Sequence, residues 1–301
     1  MPQILLTGAS GFLGCNLQEV LAKKYRLIAM SRKGAELNFK LEEQIPTFHQ
    51  TYDIVIHAAG KAHQTPKNQV EAQQFFDVNV LGTANLLNAL ETPRQPKSFV
   101  FISTVAVYGL QKGNKITEDS PLNALDPYGL SKIEAEHLVQ EWCKKKGVIC
   151  TILRLPLIVG PNPPGNLGAM IKGIQNGYYF NIAGGNSKKS MVLASDIAKF
   201  ILIAAEFGGI YNLTDGIHPT FNELSRTISL QLGRKFVPNM PLFFAKILAK
   251  IGDLIGDKFP VNSNKLAKIM APLTFDDTKA RKAFGWNPTP VLKGFKIEEN
   301  A

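Results

Sequence analysis

Tyr128 and Lys132 stand four residues apart in the stretch DPYGLSK, directly after a proline and with small residues between them. Positions i and i+4 share one face of a helix, so a phenol and an ammonium would project together. A free tyrosine titrates at about 10, too high for a base at neutral pH. A neighbouring ammonium favours its phenolate. Upstream, the apolar run SFVFIST ends in Ser103 and Thr104. A hydroxyl there can hydrogen-bond the oxygen whose proton the tyrosine moves. Thr104, Tyr128 and Lys132 together suit removal of a hydroxyl proton while hydride leaves the same carbon, or the reverse.

That chemistry needs a hydride carrier, and the first residues offer a place for one. TGASGFLG sets Gly8, Gly11 and Gly14 after an apolar strand and at the opening of a helix. In that context a glycine turn lets the backbone approach a pyrophosphate, with the helix N-terminus facing the anion. The spacing is GxxGxxG rather than GxGxxG, and Ser10, Phe12 and Leu13 complete the expected contact set. At the end of the second strand a carboxylate would bind the adenosine ribose hydroxyls. The chain has AMSRKG instead, with Ser31 and Arg32 at the tip. A hydroxyl and a guanidinium suit a 2′-phosphate, which favours NADP(H) and leaves NAD(H) possible.

The elements that must position these groups alternate along the chain. Apolar strands at QILLT, RLIAM, DIVIH, SFVFIST and VICTILRL are separated by helical patterns such as FFDVNVLGTANLLNALE and SKIEAEHLVQEWCKKKG. This alternation predicts an α/β fold, a Rossmann-type doubly wound parallel sheet, with ligands beyond the carboxyl ends of its strands. The texture changes at GPNPPGNLG, where proline and glycine crowd together. We therefore expect a dinucleotide-binding domain over 1–158, with 190–214 returning to it. A smaller mixed α/β substrate lobe would comprise 159–189 and 215–301. Residues 241–256, PLFFAKILAKIGDLIG, carry apolar residues at helical spacing with Lys246, Lys250 and Asp253 opposite. The expected role of that stripe is packing on the small lobe, and the alternative is a helix lying on a membrane surface.

Bulk composition narrows the partners. Of 301 residues, 45% are hydrophobic and 19% charged, as in ordinary globular proteins. The formal charge is +10, but the basic residues are dispersed and the run Lys144–Lys145–Lys146 has no interleaved aromatics, which argues against nucleic acid. A phosphate-bearing small molecule accounts for part of the excess. Cys15, Cys143 and Cys150 form no CxxC or metal-like spacing, so neither a disulfide scaffold nor a metal site is expected. A reducing compartment follows, and with no basic n-region before the first strand the expected location is the cytoplasm. A homodimer is possible.

The motifs TGASGFLG, DIVIHAAG, NVLGTANLL, ISTVAVYG, DPYGLSK, LRLPLIVGP, SMVLASDIA and TFDDTKARKAFGWNP together resemble the extended short-chain dehydrogenase/reductases of the epimerase/dehydratase family. The resemblance covers nearly the whole chain and implies action on nucleotide sugars. It assigns the family's catalytic Ser/Thr to Thr104, its tyrosine to Tyr128 and its lysine to Lys132, which would also hold the nicotinamide ribose. Ala58, Ala59, Gly60 and Pro156 would line the cofactor, and Asn79 would prop the neighbouring strand. On the substrate side the implied residues are Asn166 and Lys189. Lys189 stands where many relatives have a nucleotide-gripping Arg, a point charge in place of a planar fork. His63 sits in a loop that could also meet substrate, whereas His57, on a strand, reads as a satisfied core residue. Val105 and Ala106 occupy the places of the acid pair that 4,6-dehydratases use for elimination, so oxidoreduction without loss of water is expected. HAAGKAH is similar to the branch acting on UDP-N-acetylhexosamines for surface polysaccharides, as a 4-epimerase or a 4-ketoreductase. Two rivals stay open: a reductase of a non-sugar carbonyl, and a non-catalytic NADPH-binding sensor or assembly protein.

Overall fold

The computed structural model describes residues 2–62, 66–91, 94–256 and 261–297. Along the chain come β1 (Gln3–Thr7), α1 (Phe12–Leu21), β2 (Arg26–Ser31), β3 (Leu37–Asn38), β4 (Ile54–His57), α2 (Gln69–Phe76), α3 (Gly82–Ala89), β5 (Ser98–Thr104), β6 (Gly113–Ile116), α4 (Pro127–Lys146), β7 (Ile149–Leu155) and β8 (Leu157–Val159). They are followed by α5 (Gly165–Gln175), β9 (Asn181–Ile182), β10 (Met191–Leu193), α6 (Ala194–Phe207), β11 (Gly209–Asn212), α7 (Phe221–Gln231), β12 (Asn239–Met240), α8 (Leu242–Ile255), α9 (Ser263–Met270), β13 (Leu273–Phe275), α10 (Thr278–Phe284) and α11 (Val291–Gly294).

Seven strands form one parallel sheet in the order β11-β7-β5-β4-β1-β2-β3. Its strands are apolar on both faces because helices cover both. On one side Leu13 and Leu17 of α1 pack with Ile197, Ile201 and Ala205 of α6. On the other, Leu86 and Leu87 of α3 pack with Ala135, Val139 and Trp142 of α4. The strand order reverses beside β1, between β2 and β4, and a crevice opens there at the carboxyl ends. This is the doubly wound arrangement that the alternation of elements predicts.

A second core gathers Val159, Leu167, Met170, Leu224, Ile228 and Phe295 in the smaller lobe. The segment 190–214 contributes β11 to the sheet and α6 to its face. The chain after 215 divides differently from the expected boundary. Ala280, Phe284 and Trp286 lie in the core of the sheet layer with α1 and α6. The Trp286 indole donates to the Thr214 carbonyl at 2.9 Å, and Phe284 meets Tyr211 edge-on at 5.0 Å. A large aromatic has more apolar area to bury there than at the rim of the lobe.

α8 reverses the expected orientation of its apolar stripe. Its small residues Ala245, Ala249 and Gly252 face the body, joined by Leu266 of α9. Its bulky residues face outward, Phe243 at 69% and Leu254 at 88% exposure. Small side chains let two helices approach closely, so the close-packed side of α8 excludes the large ones.

Candidate active site

The glycine turn owes its form to contacts across the crevice. Gly8 has φ +70°, and a Cβ there would come within 2.5 Å of the Ala59 amide nitrogen. At Gly14 a Cβ would sit 2.1 Å from the Gly8 carbonyl oxygen. Only glycine permits both the fold-back and the seating of α1 on the turn. The N-cap of α1, Gly11, provides no side-chain acceptor, so the first-turn amides remain open to an anion.

A cavity of about 200 Å³ lies above this turn. The structure brings Gly8, Ser10, Gly11, Ser31, Arg32, Ala58, Ala59 and Gly60 around it. It adds Phe39, Leu41 and Glu42, which the sequence reading omits. They arrive because the Phe39 amide donates to the Ser31 carbonyl at 2.9 Å, turning the chain after β3 back over the crevice. Phe12, Leu13, Gly14 and Pro156 are not part of its wall. Leu13 is buried in the core beneath the turn, Phe12 lies against Gly160, and Pro156 is half-buried between β7 and β8. A narrow cleft with an uncapped helix N-terminus, a guanidinium at one end and an apolar wall fits a dinucleotide.

Below the cavity runs a buried chain of hydrogen bonds whose direction is determined. Thr83 Oγ1 donates to the Asn79 carbonyl at 2.6 Å, so it accepts from His57 Nε2 at 2.9 Å. The other ring nitrogen, Nδ1, must then accept from Thr7 Oγ1 at 2.6 Å, and that hydroxyl accepts from the Ala59 amide at 3.3 Å. Burial, reinforced by the Lys132 charge, pushes the His57 pKa down to about 3. The imidazole is thus a neutral strut, in keeping with its reading as a satisfied core residue. Because the unfolded chain takes up this proton near pH 6.5 and the folded chain does not, stability is full above about 6.5 and is lost as pH falls toward 3. Unfolding free energies from urea titrations across that window should fall, by up to about 5 kcal/mol at its lower end, and His57→Asn should flatten the slope. An unchanged slope in that variant would remove His57 from the acid sensitivity.

Asn79 ties this chain to α4. It lies in a π-helical segment, Asp77–Leu81, between α2 and α3. Its side chain accepts from the Lys61 amide at 2.7 Å and donates to Ser131 Oγ at 2.9 Å. Ser131 in turn donates to the Tyr128 carbonyl at 2.8 Å. One side chain therefore fixes the crevice loop after Gly60 against the first turn of α4.

α4 starts where the sequence signals a start. Asp126 caps it by accepting from the Gly129 amide at 3.0 Å, and Pro127 occupies the first turn. Tyr128 and Lys132 then share a face toward the end of β5. The Thr104 hydroxyl hydrogen-bonds the Tyr128 phenol and also accepts from the Ala106 amide at 3.2 Å. Lys132 is 5% exposed, and its Nζ donates to the Ile102 carbonyl at 2.7 Å, 3.9 Å from the Phe101 ring centroid. Burial lowers its pKa to about 7, against the pull of Glu136. The sequence reading expects the ammonium to depress the phenol. The structure instead holds the phenol above its ordinary value through burial, with Thr104 working the other way. The amine is engaged with a carbonyl and a ring, and at neutral pH it carries only part of a charge.

Glu136 continues the same face, four residues beyond Lys132. It is fully buried and takes a forked pair from Arg154, at 3.1 Å from Nε and 2.7 Å from Nη2. Ser103 donates to it as well, and Arg154 reaches Tyr108 at 3.1 Å. The four-residue spacing Tyr128–Lys132–Glu136 is the signal that could have revealed it.

The expected substrate residues are less gathered. Lys189 Nζ donates to the carbonyls of Lys268 at 2.8 Å and Ala271 at 2.7 Å, at the end of α9. Two of its three donors are thereby occupied. Asn166 is exposed in the first turn of α5, and His63 lies outside the described residues. Val105 begins a single helical turn, Val105–Tyr108, and packs against the cluster of Val107, Tyr108 and Phe275.

Comparison with known proteins gives this geometry a setting. The chain is 29% identical over 315 residues to the N-acetyl-alpha-D-glucosaminyl-diphospho-ditrans,octacis-undecaprenol 4-epimerase of Escherichia coli O157:H7, covering 97% of this chain and 92% of that one. It is 26% identical to the UDP-glucose 4-epimerase of Vibrio cholerae, over 98% and 94% of the two chains. In fold it is similar to RMD from Pseudomonas aeruginosa, solved with NADPH, at a TM-score of 0.75 and 21% identity over 97% and 96%. The model of the NAD dependent epimerase/dehydratase family matches residues 4–214, and this chain, an extended short-chain dehydrogenase/reductase in architecture, belongs to that family.

Proposed function

We propose that this enzyme is an oxidoreductase acting at C4 of a UDP-N-acetylhexosamine-type sugar, with NADP(H) preferred, in the supply of surface-polysaccharide precursors. The observation that carries the reading is the convergence of Thr104, Tyr128 and Lys132 at the carboxyl end of β5, beside a cleft that ends in Arg32. When bound, the dinucleotide supplies or accepts the hydride. Tyr128 gives its phenolic proton to O4 as the C4 carbonyl is reduced, or takes it back on oxidation. Thr104 hydrogen-bonds that oxygen, and Lys132 would hold the nicotinamide ribose beneath it. Apolar Val105 and Ala106 in the turn after β5 supply no acid or base for elimination. A ketoreductase would release the alcohol after one transfer, and an epimerase would return hydride to the other face of the ring. Arg32 favours an exchangeable NADPH and hence the reductase.

The relative from Escherichia coli O157:H7 supports a second reading, in which the diphosphate joins the sugar to a polyprenol rather than to uridine. Purified enzyme should be incubated with UDP-N-acetylhexosamines, their 4-keto-6-deoxy derivatives and the polyprenyl-diphosphate form, with and without NADPH. Stoichiometric NADPH loss identifies a reductase, and turnover without added reductant an epimerase. No turnover of any of these would overturn the sugar reading in favour of its rival, the reductase of a non-sugar carbonyl. In parallel, Arg32→Ala should weaken NADPH about 10–100-fold, the worth of one charge-assisted contact, and leave NADH nearly unchanged. Equal affinities of the wild type for both cofactors would refute the 2′-phosphate argument.

A further inference from the structure

We propose that the outward face of α8 seats this protein on an anionic phospholipid surface. The inference stands on the lobe alone and does not depend on which sugar the crevice accepts.

The helix is built inside out for a soluble lobe. Its inward residues are Ala245, Ala249 and Gly252, while Phe243, Phe244, Ile247, Ile251, Leu254 and Ile255 are exposed. At 100° per residue the exposed six fall on one continuous face opposite the small residues. Packing on the body therefore does not explain them, since the packed side is occupied by alanine and glycine. Scattered surface apolar residues need no explanation, but a contiguous set of this size marks an interaction site.

Charge selects the occupant. Lys246 and Lys250 form one shoulder of the apolar face, and exposed Lys265 and Lys268 stand on α9, the helix packed on α8. Among the described residues none of the four makes an ion pair. The single acid of the two helices, Asp253, lies on the same side as Lys246, where it accepts two hydrogen bonds from Ser263. An apolar face rimmed by unpaired lysines is complementary to acyl chains beneath anionic headgroups. A second copy of the chain would bring the same lysines together with one acid per copy to answer them. The surroundings agree with the bilayer interface. Phe236, exposed at 75%, lies just before β12, and Tyr178 and Phe180 precede its partner β9, so exposed aromatics border the start of α8. Among the described residues no helix is long and apolar enough to cross a membrane, so α8 would lie in the plane of the surface.

The test is flotation of the full-length protein with vesicles of phosphatidylethanolamine and phosphatidylglycerol, against phosphatidylcholine alone. Binding to the anionic vesicles is expected, weakening as salt rises. Phe243→Ser with Leu254→Ser should reduce the bound fraction about tenfold, and Lys246→Glu with Lys250→Glu by a similar factor. Both variants should keep wild-type thermal unfolding and NADPH affinity, because all four side chains are exposed. Three results would overturn the proposal. They are no wild-type binding to anionic vesicles, binding that survives both double variants, and an oligomer in sedimentation velocity that Phe243→Ser with Leu254→Ser dissociates while vesicles remain unbound.

Discussion

Tyr128→Phe is expected to lower turnover by about 10²–10⁴-fold, the usual worth of a positioned general acid or base, while NADPH affinity stays within a few-fold. The variant loses one hydroxyl, whose partner is the Thr104 side chain. The ring keeps its place against Phe75, 6.1 Å between centroids, so the fold has no reason to change. Single-turnover kinetics with saturating cofactor would separate the proton step from binding. Turnover at the wild-type rate would remove the phenol from the chemistry. Retained NADPH binding with unimpaired cellular function would go further, and favour a sensor or assembly role over catalysis.

Glu136→Gln is expected to cost about 3–5 kcal/mol of stability, since it leaves the Arg154 guanidinium buried without its counter-charge. Both partners are nearly inaccessible, at 3% and 0% side-chain exposure, so solvent cannot compensate. A second effect follows in the active site. Glu136 is the influence that raises the Lys132 pKa against its burial, so its removal should carry that amine below about 7. The urea midpoint reads the first effect, and the apparent pKa of the pH–rate profile reads the second. A stability loss below about 1 kcal/mol, the value of an exposed pair, would show that Arg154 finds another partner.

The site was legible in the sequence where it is local. The glycine turn lies within one strand–turn–helix unit, and the Tyr128–Lys132 spacing is a property of one helix. Contacts between distant segments were not legible in the same way. Phe39 and Glu42 join the cofactor cleft only because the chain folds back after a two-residue strand. Arg154 meets Glu136 because β7 lies beside β5 under α4. Lys189 was read for its charge, yet its charge is directed at helix-end carbonyls that no spacing announces. The stripe on α8 was visible by period. Its orientation was not, because Ala245, Ala249 and Gly252 recur at the same period and compete for the inside.

The return of Ala280 and Trp286 to the sheet layer has an architectural consequence. Thr214 donates to the Asp277 carboxylate at 3.2 Å, and the Val291 amide reaches Asp215 at 3.0 Å. The excursion from about 216 to 276 thus departs and rejoins where its two ends are fastened. Between those ends it is held by the rest of the chain as well, through Leu224 and Ile228 in the lobe core, β12 on β9 and β13 on β6. The last residues thus clasp both layers at once, and a chain cut at 276 should lose the sheet's Ala280, Phe284 and Trp286 along with the lobe's Val291 and Phe295.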